Sequence, residues 1–184
     1  MVGPIEGSRA QRRRQEVRRG APLRAPRRTR IRLSPEVYAQ AGQPFLITIS
    51  TWRRRPLFAN PEHARTVFDA LMAGRVFSEA DCIAACLMQD HLHLLLIPKE
   101  RSLAAILGEW KSYSTNLLHD MGVRGPVWQR SFYDHALRSE EGLMQAAEYV
   151  VNNPVRSGLA QESKRYPYAY VRWADNTQQG LSAS

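Results

Sequence analysis

A chain of 184 residues with 43% hydrophobic side chains is long enough to bury one core of ordinary size, which argues for one folded domain. No stretch reaches the ~18 consecutive apolar residues that a membrane span needs, and the first residues are glycine, proline and arginine where an export signal would have an apolar run, so the expectation is a cytoplasmic protein without a membrane segment. Two cysteines, Cys82 and Cys86, are too few for a disulfide framework and read as reduced thiols.

The net charge of +9 is confined to one end. Residues 1–33 hold eleven arginines, no lysine and two glutamates, which equals the whole excess; positions 34–184 balance. With Arg12, Arg13 and Arg14 in a row among glycines and prolines, this segment cannot bury enough apolar surface to offset the entropy of ordering, and it reads as a flexible basic arm. Such an arm binds polyanions by counterion release without choosing among DNA, RNA and an anionic membrane surface, and a solubilising tail is the bland alternative. The expected organisation is an arm over 1–33, one domain over 34–175 and a short tail over 176–184.

The first element after the arm is FLITIST (45–51), rich in β-branched residues and expected as a strand with WRRRPLF as its exit. Asn60 then caps a helix that opens on Pro61 and closes at Gly74. DCIAACLM (81–88) and HLHLLLI (91–97) are two strands joined by Gln89 and Asp90 as a hairpin turn. Ser102 caps a second helix that ends at Gly122. VWQRSFYDHAL (127–137) is aromatic and reads as a fourth strand. Ser139 caps a third helix over 140–153, stopped by Pro154. The order β, α, β, β, α, β, α predicts an α+β fold: a ferredoxin-like antiparallel four-stranded sheet with two crossing helices on one face and the last helix on the other.

Strand alternation places Leu92, Leu94 and Leu96 on one face, and His91, His93, Leu95 and Ile97 on the other. The leucine face should meet the crossing helices. The histidine face should lie under the last helix, where Gln145, Tyr149 and Asn153 recur every four residues as a polar stripe. Two imidazoles under a phenol and an amide assemble the parts of a metal site, because neutral imidazole nitrogen and amide oxygen both bind divalent ions. Cys82 and Cys86, placed by their spacing on one strand face, could join the histidines around zinc, although the spacing matches none of the common finger patterns. The remaining candidates have plainer readings. Tyr113, Tyr133 and Tyr170 are competing phenols that packing explains, Trp110 and Trp128 are core, His63 and His119 are helix surface, and Asp134 with His135 is a structural pair.

Five segments, in order, carry a resemblance: TWRRRPLF (51–58), MQDHLHLLL (88–96), KSY (111–113), GPVWQRSFYDHAL (125–137) and EYVVNNPVRSGL (148–159). Over roughly positions 45–160 the chain resembles the HUH (His, hydrophobic, His) single-tyrosine transposases of bacterial insertion sequences, and in particular their domesticated relatives, the REP-associated tyrosine transposases. The resemblance implies that His91 and His93 are metal ligands, that Asn153 is a third, amide ligand, that Tyr149 is the nucleophile and that the metal is Mg²⁺ or Mn²⁺. It further implies a single-stranded DNA substrate with a REP-like hairpin, cleaved through a 5′-phosphotyrosine, by a monomer or a homodimer associated with the nucleoid. Arg53, Arg54, Arg55, Lys111, Arg130 and Arg156 are then candidate DNA contacts, joined by Arg12, Arg13 and Arg14 of the arm. The rival expectation is an inactive nucleic-acid-binding module that keeps the fold.

Overall fold

The computed structural model describes residues 42–74, 78–137 and 140–173, with no account of the side chains of 140 and 141. The arm over 1–33 with Arg12, Arg13 and Arg14, the Ser139 cap and the tail over 176–184 lie outside these residues.

The elements run β1 (Phe45–Ser50), α1 (Pro61–Met72), β2 (Ala80–Met88), β3 (His91–Pro98), α2 (Leu103–Asp120), β4 (Tyr133–Ala136), α3 (Glu140–Val151), α4 (Asn153–Arg156) and β5 (Ala169–Val171). Each helix start has a local cause. The Asn60 side chain accepts from the Glu62 backbone N–H at 2.9 Å ahead of Pro61, and Ser102 accepts from Ala105 N–H at 3.4 Å. Gly74 and Gly122 follow α1 and α2 with φ of 130° and 89°, a left-handed backbone that glycine enters without strain.

The sheet has five strands in the order β4-β1-β3-β2-β5, every neighbouring pair antiparallel. The expected four-strand count is therefore one short. The fifth strand has three residues, too few to show a period of two, and it is held on the β2 edge by Tyr166 Oη donating to the Leu87 carbonyl at 2.8 Å and by Leu87 N–H donating to Tyr168 O at 2.9 Å. The fourth strand is also shorter than expected, because residues 127–132 are loop. Trp128 keeps a single antiparallel bridge to Thr51 while its side chain enters the core, where its indole N–H donates to Ser114 Oγ at 2.9 Å. The backbone there is tied to the end of β1, with Trp52 N–H donating to Val127 O at 2.7 Å and Gln129 N–H to Ser50 O at 2.8 Å.

Two apolar clusters sandwich the sheet. The larger joins Ile47, Ile49, Leu92, Leu94 and Leu96 to Val67, Phe68 and Leu71 of α1 and to Leu103, Leu107, Trp110 and Leu118 of α2. The smaller joins Ala84, Cys86, Met88 and Leu95 to Ala146, Ala147 and Val150 of α3. Each leucine buried in this way contributes on the order of 2 kcal/mol.

A bulge in β2 changes which side chains share a face. Opposite β3 the pairing steps from Cys82↔Leu96 to Ala84↔Leu95, so Ile83 is the extra residue. Cys82 consequently packs in the larger cluster and Cys86 in the smaller one. The expectation of both thiols on one face is overturned, and with it a zinc site built from the two cysteines and the two histidines. Both thiols are free and buried, and burial pushes Cys86 up to about 12.

Candidate active site

β1 and β3 pair in a register that sets Ser50 opposite His91 and Thr48 opposite His93, while β2 sets Met88 and Cys86 on their other side. Cross-strand neighbours share a face. Thr48 and Ser50 thus line up beside the histidines on the α3 side of the sheet.

The two imidazoles converge. Their Nε2 atoms are 3.0 Å apart, with the rings edge to face at 89°. Each Nδ1 has a different partner: Asp90 Oδ1 lies 2.6 Å from that of His91, and Thr48 Oγ1 lies 2.9 Å from that of His93. Burial, with His91 and Arg54 close by, pushes the His93 pKa down to about 3, and burial outweighs the Asp90 contact to lower that of His91. Both rings are therefore uncharged at neutral pH, the form that ligates a metal through nitrogen.

α3 lays Tyr149 over this pair, its ring centre 5.8 Å from that of His93. The Arg156 guanidinium lies over the phenol ring at 4.9 Å, a cation–π contact, and its charge reaches His93. Asn153 is buried at the junction of α3 and α4. Pro154 has no N–H to offer the preceding turn, and the Asn153 amide instead donates to Tyr149 O at 2.7 Å and Val150 O at 3.4 Å. This use of the NH₂ leaves Oδ1 as the atom free to coordinate. Two neutral imidazole nitrogens and one amide oxygen are donors of the kinds that bind divalent cations. Among the described residues, no group of three or more His, Cys, Asp or Glu side chains is placed to hold a metal ion, so any ion here would rest on the two imidazoles and the amide.

The other expected contacts are scattered. Arg54, itself exposed, reaches across to the turn, with Nε 3.0 Å from Asp90 Oδ2 and Nη1 3.1 Å from Ser50 Oγ. Arg53 and Arg54 are left-handed at φ of 54° and 58°, and Arg53 lies over exposed Trp52 at 5.8 Å. Arg55 reaches the Arg124 carbonyl at 3.4 Å, and Arg130 is exposed. Lys111 is half-buried: its ammonium donates to the carbonyls of Gln129, Arg130 and Ser131 at 3.0, 3.3 and 3.2 Å, and burial lowers its pKa to about 8. Gln145 is exposed. Tyr113 and Tyr133, expected to be packed, are 38% and 42% exposed, and Tyr133 pairs with Thr48, one strand beyond His93 on the same face.

Three partners of the histidines escape a reading of β3 alone: Thr48, Ser50 and Asp90. Thr48 and Ser50 repeat the i, i+2 spacing of His91 and His93 within FLITIS, which is the signal that finds them. Asp90 reads only as a turn residue.

Fold and site together define an α+β protein with a paired-histidine site on its sheet and a phenol on the helix above. By sequence it is similar to the REP-associated tyrosine transposases. A Haemophilus influenzae protein named for that group is 28% identical over 101 residues, 48% of this chain and 57% of the relative. The REP-associated tyrosine transposase of Escherichia coli is 22% identical over 82 residues, 45% of this chain and 48% of the relative. The matches span about half the length of these curated relatives, and no family model matches the chain. In fold it is similar to a REP-associated tyrosine transposase bound to a REP hairpin, with a TM-score of 0.60 and 20% identity over 78% of this chain and 84% of that one. Among the described residues, no helix is long and apolar enough to cross a membrane.

Proposed function

We propose that the chain nicks and rejoins single-stranded DNA beside REP-like hairpins, at the nucleoid, with Tyr149 as nucleophile. The observation that supports this most is the convergence of His91 and His93 Nε2, 3.0 Å apart, beside the Tyr149 ring. His91, His93 and Asn153 Oδ1 would hold Mg²⁺ or Mn²⁺, which supplies a Lewis acid to a non-bridging phosphate oxygen. Tyrosine hydroxyls are weak nucleophiles at neutral pH, so the surroundings must favour attack. Arg156, stacked on the phenol, orients it and sets a positive charge beside the incoming phosphate. In-line attack forms the bond from Tyr149 Oη to phosphorus and releases a 3′-hydroxyl. The phosphodiester energy is kept in the 5′-phosphotyrosine, so a 3′-hydroxyl can later displace Tyr149 and rejoin DNA without ATP. A duplex would hold its scissile strand away from a phenol half-buried against a sheet, hence the single-stranded substrate.

The test is incubation with single-stranded DNA carrying a REP-like hairpin, with Mn²⁺ or with chelator, followed by a denaturing gel. A protein–DNA band that requires metal and is lost in Tyr149→Phe, while hairpin binding persists, is the expected result. Covalent joining retained by Tyr149→Phe would refute the assignment. Binding without any adduct across a panel of hairpins would favour an inactive binding module.

A further inference from the structure

We propose that Asp90 is the positioning residue of the histidine pair, turning His91 Nε2 toward His93 Nε2, and that Arg54 holds Asp90 in place. This rests on the proposed function only for the purpose the pair serves. Asp90 closes the β2–β3 turn, and its peptide is fixed independently of its side chain: its carbonyl accepts from Thr51 N–H at 2.9 Å. The carboxylate divides its two oxygens, Oδ1 to His91 Nδ1 at 2.6 Å and Oδ2 to Arg54 Nε at 3.0 Å. An ionised carboxylate only accepts, so His91 Nδ1 carries the ring proton and Nε2 carries the lone pair. Without Asp90 the ring is free to take the other tautomer, which would place an N–H where a ligand atom is needed.

Arg54 completes a closed circuit. Its Nη1 donates to Ser50 Oγ at 3.1 Å, and Ser50 is the cross-strand partner of His91. The turn that carries Arg54 to Asp90 is costly in backbone conformation, with two successive non-glycine residues at positive φ, and such strain concentrates at functional sites. Thr51 Oγ1 donating to Arg55 O at 2.7 Å and the Asp90 ion pair hold it closed. Carboxylate–histidine pairs of this kind orient metal-ligating imidazoles generally.

The test has two readouts on the full chain. In chelator, ¹H–¹⁵N spectra of the ¹⁵N-histidine-labelled protein report the His91 tautomer, expected as Nδ1–H and lost in Asp90→Ala. Mn²⁺ binding followed by electron paramagnetic resonance should weaken about 10–100-fold in Asp90→Ala. Asp90→Asn, which keeps an acceptor oxygen without the charge, should retain the tautomer and lose less affinity. An Nε2–H tautomer in the native protein overturns the proposal, as does an Asp90→Ala protein with unchanged tautomer and affinity. Should Asp90→Ala fail to fold, an Asp90→Asn affinity equal to native overturns it instead. A native chain that binds no Mn²⁺ yet shows the Asp90-dependent tautomer sinks the proposed function and leaves the positioning role standing.

Discussion

Lys111→Met separates two roles for one lysine. Met keeps the aliphatic stem beside Phe132, whose ring lies 5.6 Å from Nζ, and removes the ammonium that three carbonyls of the 127–132 loop share. A hydrogen bond from a charged donor is worth about 1.5–3 kcal/mol, but the Arg130 and Ser131 carbonyls are exposed and regain water, so the net loss should be about 1–2 kcal/mol. That corresponds to a fall in Tm of roughly 2–8 °C for a protein of this size. The pH dependence has a definite sign. Lys111 loses its proton near pH 8 when folded and near ~10.5 when unfolded, so the unfolded chain binds more protons between these values and stability from this group rises with pH across that window. The advantage of native protein over Lys111→Met should therefore grow from pH 8 to 10. Calorimetry at pH 7, 8 and 10 measures it, with hairpin affinity titrated against salt in parallel. Loss of hairpin affinity and a shallower salt slope at unchanged Tm would refute the tether and favour Lys111 as a DNA contact.

In chelator, acid should unfold the protein partly through His93, whose ring is neutral when folded down to about pH 3. The unfolded chain takes up this proton below pH ~6.5, so stability is lost as pH falls through that value, by about 2 kcal/mol at pH 5. Urea titrations should show that share of the loss missing in His93→Gln, and parallel losses would contradict a buried neutral ring. Leu94→Ala empties a fully buried site between the sheet and its two helices and should cost about 2–5 kcal/mol by urea denaturation, a loss under 1 kcal/mol arguing against the packing described. Removing residues 1–33 should weaken DNA binding most at low salt, because screening removes the same attraction. An unchanged salt slope would take the arm out of DNA binding.

Much of this architecture is legible in local signals because each rests on one short-range rule. Asn60 before Pro61, Ser102 and the glycines after α1 and α2 punctuate helices wherever they occur, and HLHLLLI alternates because β-strands do. What escaped depends on contacts distant in sequence. The bulge at Ile83 leaves no mark in DCIAACLM, and its insertion alone sends Cys82 and Cys86 to opposite faces. β5 exists because Tyr166 and Leu87, far apart in the chain, bond at the β2 edge. The loop at 127–132 has strand-like composition but is claimed by the core through Trp128 and by Lys111. Tyr149 as the phenol nearest the histidines follows from the four-residue stripe on α3, whereas Asp90 hides in a turn that its residue type explains equally well.

The site and the fold are specified by the same register. His91 and His93 meet only because β3 pairs with β1 and β2 so that Ser50, Thr48, Met88 and Cys86 stand beside them. A slip of one residue would turn both imidazoles into the larger apolar cluster and expose Leu92 and Leu94 to α3, leaving polar rings without partners among leucines. The larger cluster therefore enforces the geometry of the smaller face, and the bulge at Ile83 lets β2 keep that register near the histidines while its other end follows the opposite phase. Arg54 and Asp90 add the last constraint at the turn end of the hairpin, where strand pairing stops and ring orientation would otherwise be free. The histidine pair is thus built from core packing at one end and a charged circuit at the other, and disturbing either should change how the Nε2 atoms meet.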